Sequence, residues 1–139
     1  MKNKRFFSIV LSIICAMALC VPIRAVESRA SDQIVAYGMK VTPHSGFFSV
    51  YFSVTGTGEV DKLGCESIYV YEMIDMDWVL VESRLENASG MSSKNTYIHT
   101  NSVQCSTERG EAYKVVVTIF SENSKGRDTR SQTFYDIGQ

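Results

Sequence analysis

The chain has 139 residues, of which 45% are hydrophobic and 21% are charged, and its formal net charge is −1. From Ser31 onward nine Lys and Arg residues oppose fourteen Asp and Glu residues, so this part of the chain has a net charge of −5. Its length of about 109 residues excludes a second domain of ordinary size. An acidic chain without a basic cluster also disfavours binding to nucleic acid.

The start of the chain has the layout of a secretory signal peptide. A basic start precedes the apolar run Phe6–Val21, and small residues follow at Ala25 and Ala30. Cleavage is predicted after Ala30, because Ser28 is a second small residue two positions earlier, and Ala25 is the alternative. The run of 16 residues is shorter than the roughly 20 that a membrane-spanning helix needs. The protein is therefore predicted to be secreted, with an uncleaved anchor or a lipid anchor at Cys20 as alternatives.

Residues 31–139, which remain after removal of residues 1–30, are predicted to form a single all-β domain. No window of ten or more residues places apolar side chains at helical spacing, whereas apolar and polar residues alternate clearly from Phe47 to Thr55. A tight turn at Asp75-Met76-Asp77 predicts a hairpin between the strands beside it. In chain order the seven predicted strands are Gln33–Thr42, Phe47–Thr55, Ser67–Ile74, Trp78–Leu85, Asn95–Val103, Ala112–Ser121 and Asp128–Tyr135.

Seven short strands at this spacing predict a two-sheet antiparallel β-sandwich. Each strand is too short and too amphipathic to be stable alone, so two sheets must pack face to face to remove their apolar sides from water. Burying one large apolar side chain stabilises the fold by roughly 1.5 to 3 kcal/mol. The side chains predicted to fill this layer are Phe48, Val50, Phe52, Ile68, Val70, Tyr113, Val115, Val117 and Ile119.

Two segments near the C-terminus resemble a known family. The stretch Arg109 to Val117 (RGEAYKVVV), the turn Asn123 to Gly126 (NSKG) and the polar strand after it are similar to the last two strands of fibronectin type III modules, which are immunoglobulin-like sandwiches. The hairpin with Trp78 is similar to that of small secreted bacterial proteins of uncharacterised function. The resemblance extends over roughly Phe47 to Phe134 and implies a fold rather than a particular activity.

Two cysteines, Cys65 and Cys105, remain after the leader. Outside the cytoplasm they predict one disulfide bond, which would close a loop of about forty residues and stabilise the fold by roughly 4 kcal/mol. The predicted strands oppose this pairing, because three strands between the cysteines place them at opposite ends of a sandwich. A six-residue strand is about 20 Å long, whereas a disulfide needs its two Cα atoms within roughly 7 Å. The disulfide is the prediction, and two separate thiols are the alternative.

Catalytic and metal sites have little support in the sequence. His44 and His99 are the two histidines, and neither lies in a nucleophile motif such as Gly-x-Ser-x-Gly. Glu72, Asp75 and Asp77 place three carboxylates within six residues. They lack the longer ligand series and the turn glycine of a calcium-binding loop. No enzymatic activity, metal or cofactor is therefore predicted.

An aromatic surface is the most specific functional prediction. Alternation in the third and sixth predicted strands turns Tyr69, Tyr71 and Phe120 outward on one sheet, and Trp78 lies beside them in the hairpin. Exposed aromatic patches mark contact surfaces. A covering loop, or a swap of the two faces by one residue, would bury the patch instead.

These features together predict a secreted, non-catalytic module that binds an extracellular protein, peptide or glycan, or has a structural role at the cell surface. Two alternatives remain open. One is a small secreted hydrolase that uses His44 or His99, and the other is an exported inhibitor or antagonist that acts through a loop.

Overall fold

A computed structural model describes residues 33–139, and the predicted leader, with Cys15 and Cys20, lies outside this range. The described chain is all-β and antiparallel, as predicted, and within it no helix is long and apolar enough to cross a bilayer. Its six strands are β1 Ile34–His44, β2 Phe47–Ile74, β3 Asp77–Leu85, β4 Ser92–Ser106, β5 Ala112–Asn123 and β6 Gly126–Ile137.

Strand β2 organises the sheet. Its first half, up to Thr55, pairs with β1 on one side and with β4 on the other. Its second half, from Lys62, pairs with β5 on one side. On the other side it pairs with β4 up to Gly64 and with β3 from Ser67 onward. Strand β6 then pairs with β5. The six strands form one hydrogen-bonded antiparallel sheet, which curls around a single core.

The structure has six strands instead of seven, because the second and third predicted strands are parts of the 28-residue strand β2. The sequence Gly56-Thr57-Gly58 is predicted to end a strand. The backbone instead continues through it, with an irregular register against β4 between Thr55 and Val60. Gly56 is buried, and a Cβ there would lie 3.2 Å from the carbonyl oxygen of Gly58. The missing side chain therefore lets the strand bend tightly without ending.

The prediction of the core is confirmed. All nine predicted side chains are buried, and they come from both halves of β2 and from β5. They belong to one cluster, because alternate residues of each strand point to the inside of the curled sheet. Further members of this cluster include Val54, Val60, Leu63 and Met91.

The predicted β2–β3 hairpin is also confirmed. Ile74 pairs with Asp77, so Asp75 and Met76 form a two-residue turn. Their φ angles are 51° and 72°. A type I′ turn requires this left-handed backbone at both central positions, and Gly or Asn adopts it with the least crowding of the Cβ atom.

Substituting Met76→Gly is expected to raise the free energy of unfolding by about 1 kcal/mol. Glycine adopts a positive φ without crowding, and the Met76 side chain is 93% exposed and loses no packing. Urea unfolding measures the change. Lys125→Gly is the matched control, because Lys125 is exposed in the two-residue β5–β6 turn but does not have a positive φ. An equal gain from both substitutions would contradict the assignment of strain to Met76.

Candidate functional site

The four residues of the predicted patch do not share one exposed surface. Tyr69 and Tyr71 on β2 and Trp78 on β3 are half-buried, whereas Phe120 on β5 is fully buried. Tyr71 pairs directly with Lys114 of β5, so their side chains lie on the same side of the sheet. Tyr71 and Trp78 therefore stay as candidates, and Phe120 does not. Tyr69 is half-buried between Ser83 of β3 and Val116 of β5 and is not part of the cluster at Lys114.

An aromatic cluster surrounds Lys114 on the outer side of the sheet. The Lys114 ammonium lies 4.4 Å from the centre of the Tyr71 ring and 5.2 Å from that of Trp78, which is cation–π distance. The Trp78 ring lies 5.8 Å from that of Tyr135 on β6. Tyr135 is 67% exposed. We call the surface formed by Tyr71, Trp78, Lys114 and Tyr135 the aromatic face.

Sequence reasoning missed two members of the aromatic face, Lys114 and Tyr135. The signal for Lys114 was present, because it lies in the same alternating phase of β5 as Val116 and is opposite Tyr71. Tyr135 pairs with Lys114 across β5 and β6. Its place depends on the register of β6 against β5, and periodicity within one strand does not specify that register.

Phe120 is buried by charged side chains rather than by the core. Its ring is not part of the core cluster, although the preceding residue Ile119 is. The Arg127 guanidinium lies 4.2 Å from the centre of the Phe120 ring, and the Lys62 ammonium lies 5.7 Å from it. Long cationic side chains can cover apolar surface in this way while their charged ends remain solvated or paired. The prediction that Phe120 is an exposed patch residue is therefore wrong.

Arg127 is the centre of an ion-pair network over Phe120, which we call the charged cover. Its guanidinium donates hydrogen bonds to Glu66 at 3.0 Å, Glu86 at 2.9 Å and Glu122 at 2.7 Å. Lys62 also pairs with Glu86, at 3.2 Å. Burial alone would raise the pKa of Glu86, but the hydrogen bonds and positive charges of Arg127 and Lys62 outweigh it, and the pKa is lowered.

Cys65 and Cys105 are free thiols in the structure, so the predicted disulfide is not formed. Cys105 on β4 lies opposite Phe48 in the first half of β2, whereas Cys65 is in the second half of β2, opposite Ile119. The Cys65 thiol lies 3.3 Å from the carbonyl oxygen of Thr118, to which it can donate. Burial raises the pKa of Cys65 to about 12 and that of Cys105 to about 11. Both therefore stay protonated near neutral pH, and the thiolate is the reactive form.

The two histidines differ in their surroundings. His44 is exposed at the end of β1 and stacks on Phe47, with the ring centres 4.8 Å apart. His99 on β4 has both ring nitrogens engaged, since Nδ1 lies 2.8 Å from Ser93 Oγ and Nε2 lies 2.8 Å from the Gly90 carbonyl oxygen. A carbonyl only accepts, so Nε2 carries a proton and donates it. A backbone carbonyl thus takes the place that a carboxylate has in a catalytic triad.

An acidic cleft of about 210 Å³ opens beside Tyr113. The Tyr113 hydroxyl accepts a hydrogen bond from the backbone N–H of Glu108 at 2.8 Å and lies 3.4 Å from the Glu72 carboxylate. Within residues 33–139 no group of three or more His, Cys, Asp or Glu side chains is arranged to hold a metal ion. The cleft is lined by Glu72, Val81, Glu82, Ser106, Thr107, Glu108 and Tyr113.

The aromatic face and this cleft differ in chemistry. The aromatic face combines exposed ring surface with one positive charge, which suits a partner that offers apolar or sugar surface beside an acidic group. The cleft offers carboxylates and one phenol. No protein family, curated protein or solved structure matches this chain.

Proposed function

We propose that this chain is a secreted, non-catalytic β-sandwich module that binds an extracellular protein, peptide or glycan through its aromatic face. The observation that carries the proposal is the contact of Lys114 with two aromatic rings beside the 67% exposed Tyr135. Leu80, which pairs with Tyr71, adds a 49% exposed apolar side chain to the same surface. Amphipathic rings provide large contact area at low entropic cost, so they dominate binding surfaces.

The strand pairing supports the sandwich part of the proposal. With the two halves of β2 counted separately, β1 and β4 flank the first half of β2, and the start of β4 also pairs with Val60, Lys62, Leu63 and Gly64 of the second half. The second half of β2 pairs with β3 and β5, and β5 pairs with β6. Folding of this sheet into groups of three and four strands would match the division of immunoglobulin-like sandwiches, which the C-terminal strands resemble.

Tyr113 supplies a second point of similarity to such modules. It lies at the start of β5, and its hydroxyl accepts a hydrogen bond from the backbone of Glu108, five residues upstream. Immunoglobulin-like sandwiches have a comparable tyrosine corner, in which a tyrosine hydroxyl bonds to backbone a few residues earlier in the chain. Tyr113 is buried in the core, so this bond ties the β4–β5 loop to the sheet.

Replacing Tyr71→Ser and Tyr135→Ser together is expected to weaken partner binding by about tenfold or more while leaving the protein folded. The protein is purified from culture supernatant, and its intact mass also reports whether the leader has been removed. Binding is then measured on glycan and peptide arrays and to cell-envelope fractions.

Tyr97→Ser is the matched control for this pair, because Tyr97 is a 61% exposed tyrosine on β4, outside the aromatic face. The control should bind like the unchanged protein. Equal binding by the double variant and by the unchanged protein would contradict the proposal, as would an equal loss in the Tyr97→Ser control.

A hydrolase is the second candidate, and it rests on the 2.8 Å contact between Ser93 and His99. The binding module is preferred because the group that accepts the His99 Nε2 proton is the neutral Gly90 carbonyl, which also accepts from Asn101 and stabilises an imidazolium less than the carboxylate of a triad does. These bonds give His99 a structural task in the loop before β4.

A further inference from the structure

The turn of the β2–β3 hairpin projects beyond the last pair that β2 makes with β5. That pair is at Glu72, so from Met73 onward β2 pairs with β3 alone. At the end of the hairpin the Met76 side chain is 93% exposed, and that of Ile74, just before the turn, is 41% exposed. We call residues 74–77 the hairpin tip.

Met76 is unusual among the residues with a positive φ. Residues 33–139 contain eight such positions, of which five are glycine and three, Asp75, Met76 and Asn95, are not. Asp and Asn tolerate this backbone because their short polar side chains bond locally, whereas the Cβ atom of Met is crowded without that compensation. Glycine would suit the fold better at this position, so stability does not explain Met76. Backbone strain of this kind is concentrated at functional sites.

The charges of the hairpin tip indicate the chemistry of a partner. Asp75 and Asp77 lie on either side of Met76, and both are exposed. Within the described part of the chain neither carboxylate has a salt-bridge partner. An exposed apolar side chain between two unpaired carboxylates is complementary to an apolar pocket with basic residues at its rim.

This chemistry favours a protein over the other classes of partner. Anionic lipids at a membrane surface repel two carboxylates beside an inserting side chain. A sugar gains little from a thioether, which has neither an aromatic ring nor a strong hydrogen-bonding group. A second copy of this chain is disfavoured because residues 31–139 have a net charge of −5. The flexible side chain of Met fills irregular apolar pockets and is common at surfaces that bind proteins.

We propose that the hairpin tip binds a protein partner by inserting Met76 into an apolar pocket whose rim carries Lys or Arg side chains. Asp75 and Asp77 pair with these cations, and Ile74 packs at the edge of the pocket. The two-residue turn holds Met76 in position before contact, so little backbone freedom is lost on binding. The proposal does not depend on the aromatic face, which uses other side chains.

A photo-crosslinker at position 76 identifies the partner. Met76→Cys introduces a thiol that a diazirine maleimide labels, whereas Cys65 and Cys105 are buried and protonated and do not react. The labelled protein is irradiated with proteins of the culture supernatant and cell envelope, and cross-linked peptides are identified by mass spectrometry. Lys125→Cys, labelled in the exposed β5–β6 turn, is the matched control. We expect a partner peptide with apolar residues beside Lys or Arg, found only with the label at position 76.

Binding of the identified protein to unlabelled variants tests each side chain. Met76→Gly is expected to weaken binding by about tenfold or more while raising the resistance to urea, so unfolding cannot explain the loss. Met76→Leu should retain most of the affinity, because it conserves apolar volume. Asp75→Asn with Asp77→Asn keeps residues that suit the turn, and it should slow association by about threefold or more and reduce its dependence on salt.

Cross-linking at position 76 that is absent, or equal to that of the Lys125 control, would overturn the proposal, as would equal binding by Met76→Gly. Binding to phosphatidylcholine vesicles that Met76→Gly abolishes would show that the hairpin tip enters a membrane instead. Tyr71→Ser with Tyr135→Ser should still bind the cross-linked protein. Loss of that protein in this double variant, but not in Met76→Gly, would assign the contact to the aromatic face, so failures of the two proposals are distinguishable.

Discussion

Gly64→Ala is expected to lower the free energy of unfolding by about 3 to 5 kcal/mol, which is much of the stability of a small domain. An added Cβ would lie 2.3 Å from the carbonyl oxygen of Met91 and 2.6 Å from the Cα atom of Ser92. Both obstacles are backbone atoms and cannot rotate away. Gly64 also has a φ of 149°, which a residue with a side chain rarely adopts.

The close approach at Gly64 has a structural purpose. The backbone N–H of the next residue, Cys65, donates to the carbonyl oxygen of Met91 at 2.7 Å. Met91 is itself fully buried. The glycine therefore allows the loop between β3 and β4 to be fastened directly onto β2.

Urea unfolding, followed through the fluorescence of Trp78, measures the effect of Gly64→Ala. Gly58→Ala is the matched control, because Gly58 is an exposed glycine of the same strand, and a Cβ there meets nothing within 4 Å. Its unfolding free energy should change by less than about 0.5 kcal/mol. Equal effects of the two substitutions would show that general glycine flexibility, and not the contact with Met91, explains the loss.

Arg127→Met is expected to lower the free energy of unfolding by about 2 to 3 kcal/mol at neutral pH. Methionine still covers the Phe120 ring, so the loss of unfolding free energy comes from removing the positive charge of Arg127. Glu86 and its neighbours Glu66 and Glu122 would remain together without the guanidinium that now bonds to all three. The two more exposed carboxylates, Glu66 and Glu122, contribute the smaller share because water screens them.

The effect of Arg127→Met should depend on pH. The pKa of Glu86 lies below its ordinary value of 4.5 in the folded protein. Its pairing therefore stabilises the fold above the ordinary pKa, and that contribution disappears as pH falls through the lowered value. Unfolding curves of the two proteins should converge below that pH.

Arg109→Met is the control for the charge change, because Arg109 is an exposed arginine in the β4–β5 loop. It should alter the unfolding free energy by less than about 0.5 kcal/mol at any pH. If Arg127→Met costs no more than this control at neutral pH, or if its cost does not fall in acid, the charged cover does not stabilise the protein.

Most of the core could be predicted from the sequence. Phe48, Val50 and Phe52 alternate with polar residues, and such alternation requires only that one side of a strand be dry. The same local rule placed Val115 and Val117 inside. The β2–β3 turn could also be predicted from neighbouring residues, because the tight Asp75-Met76 segment joins two apolar runs. The register between strands was not local, and Tyr135 was consequently missed.

The predictions about Phe120 and the cysteines failed for a common reason. Alternation correctly separated Phe120 from the core side, but exposure depends on what lies above a side chain. Here that group is Arg127, which reaches Phe120 from the next strand. The disulfide between Cys65 and Cys105 was predicted from the number of cysteines, against the predicted strand order, whereas the bend in β2 and the pairing of β4 decide where each thiol lies.

The all-β class, the inward-facing residues and the hairpin turns followed from neighbouring residues along the chain. The tertiary structure alone decided that β2 bends instead of ending, that Phe120 is covered and that the thiols remain apart. It also decided which side chains surround Lys114. These outcomes depend on contacts between strands distant in sequence, and side-chain periodicity carries no information about such contacts.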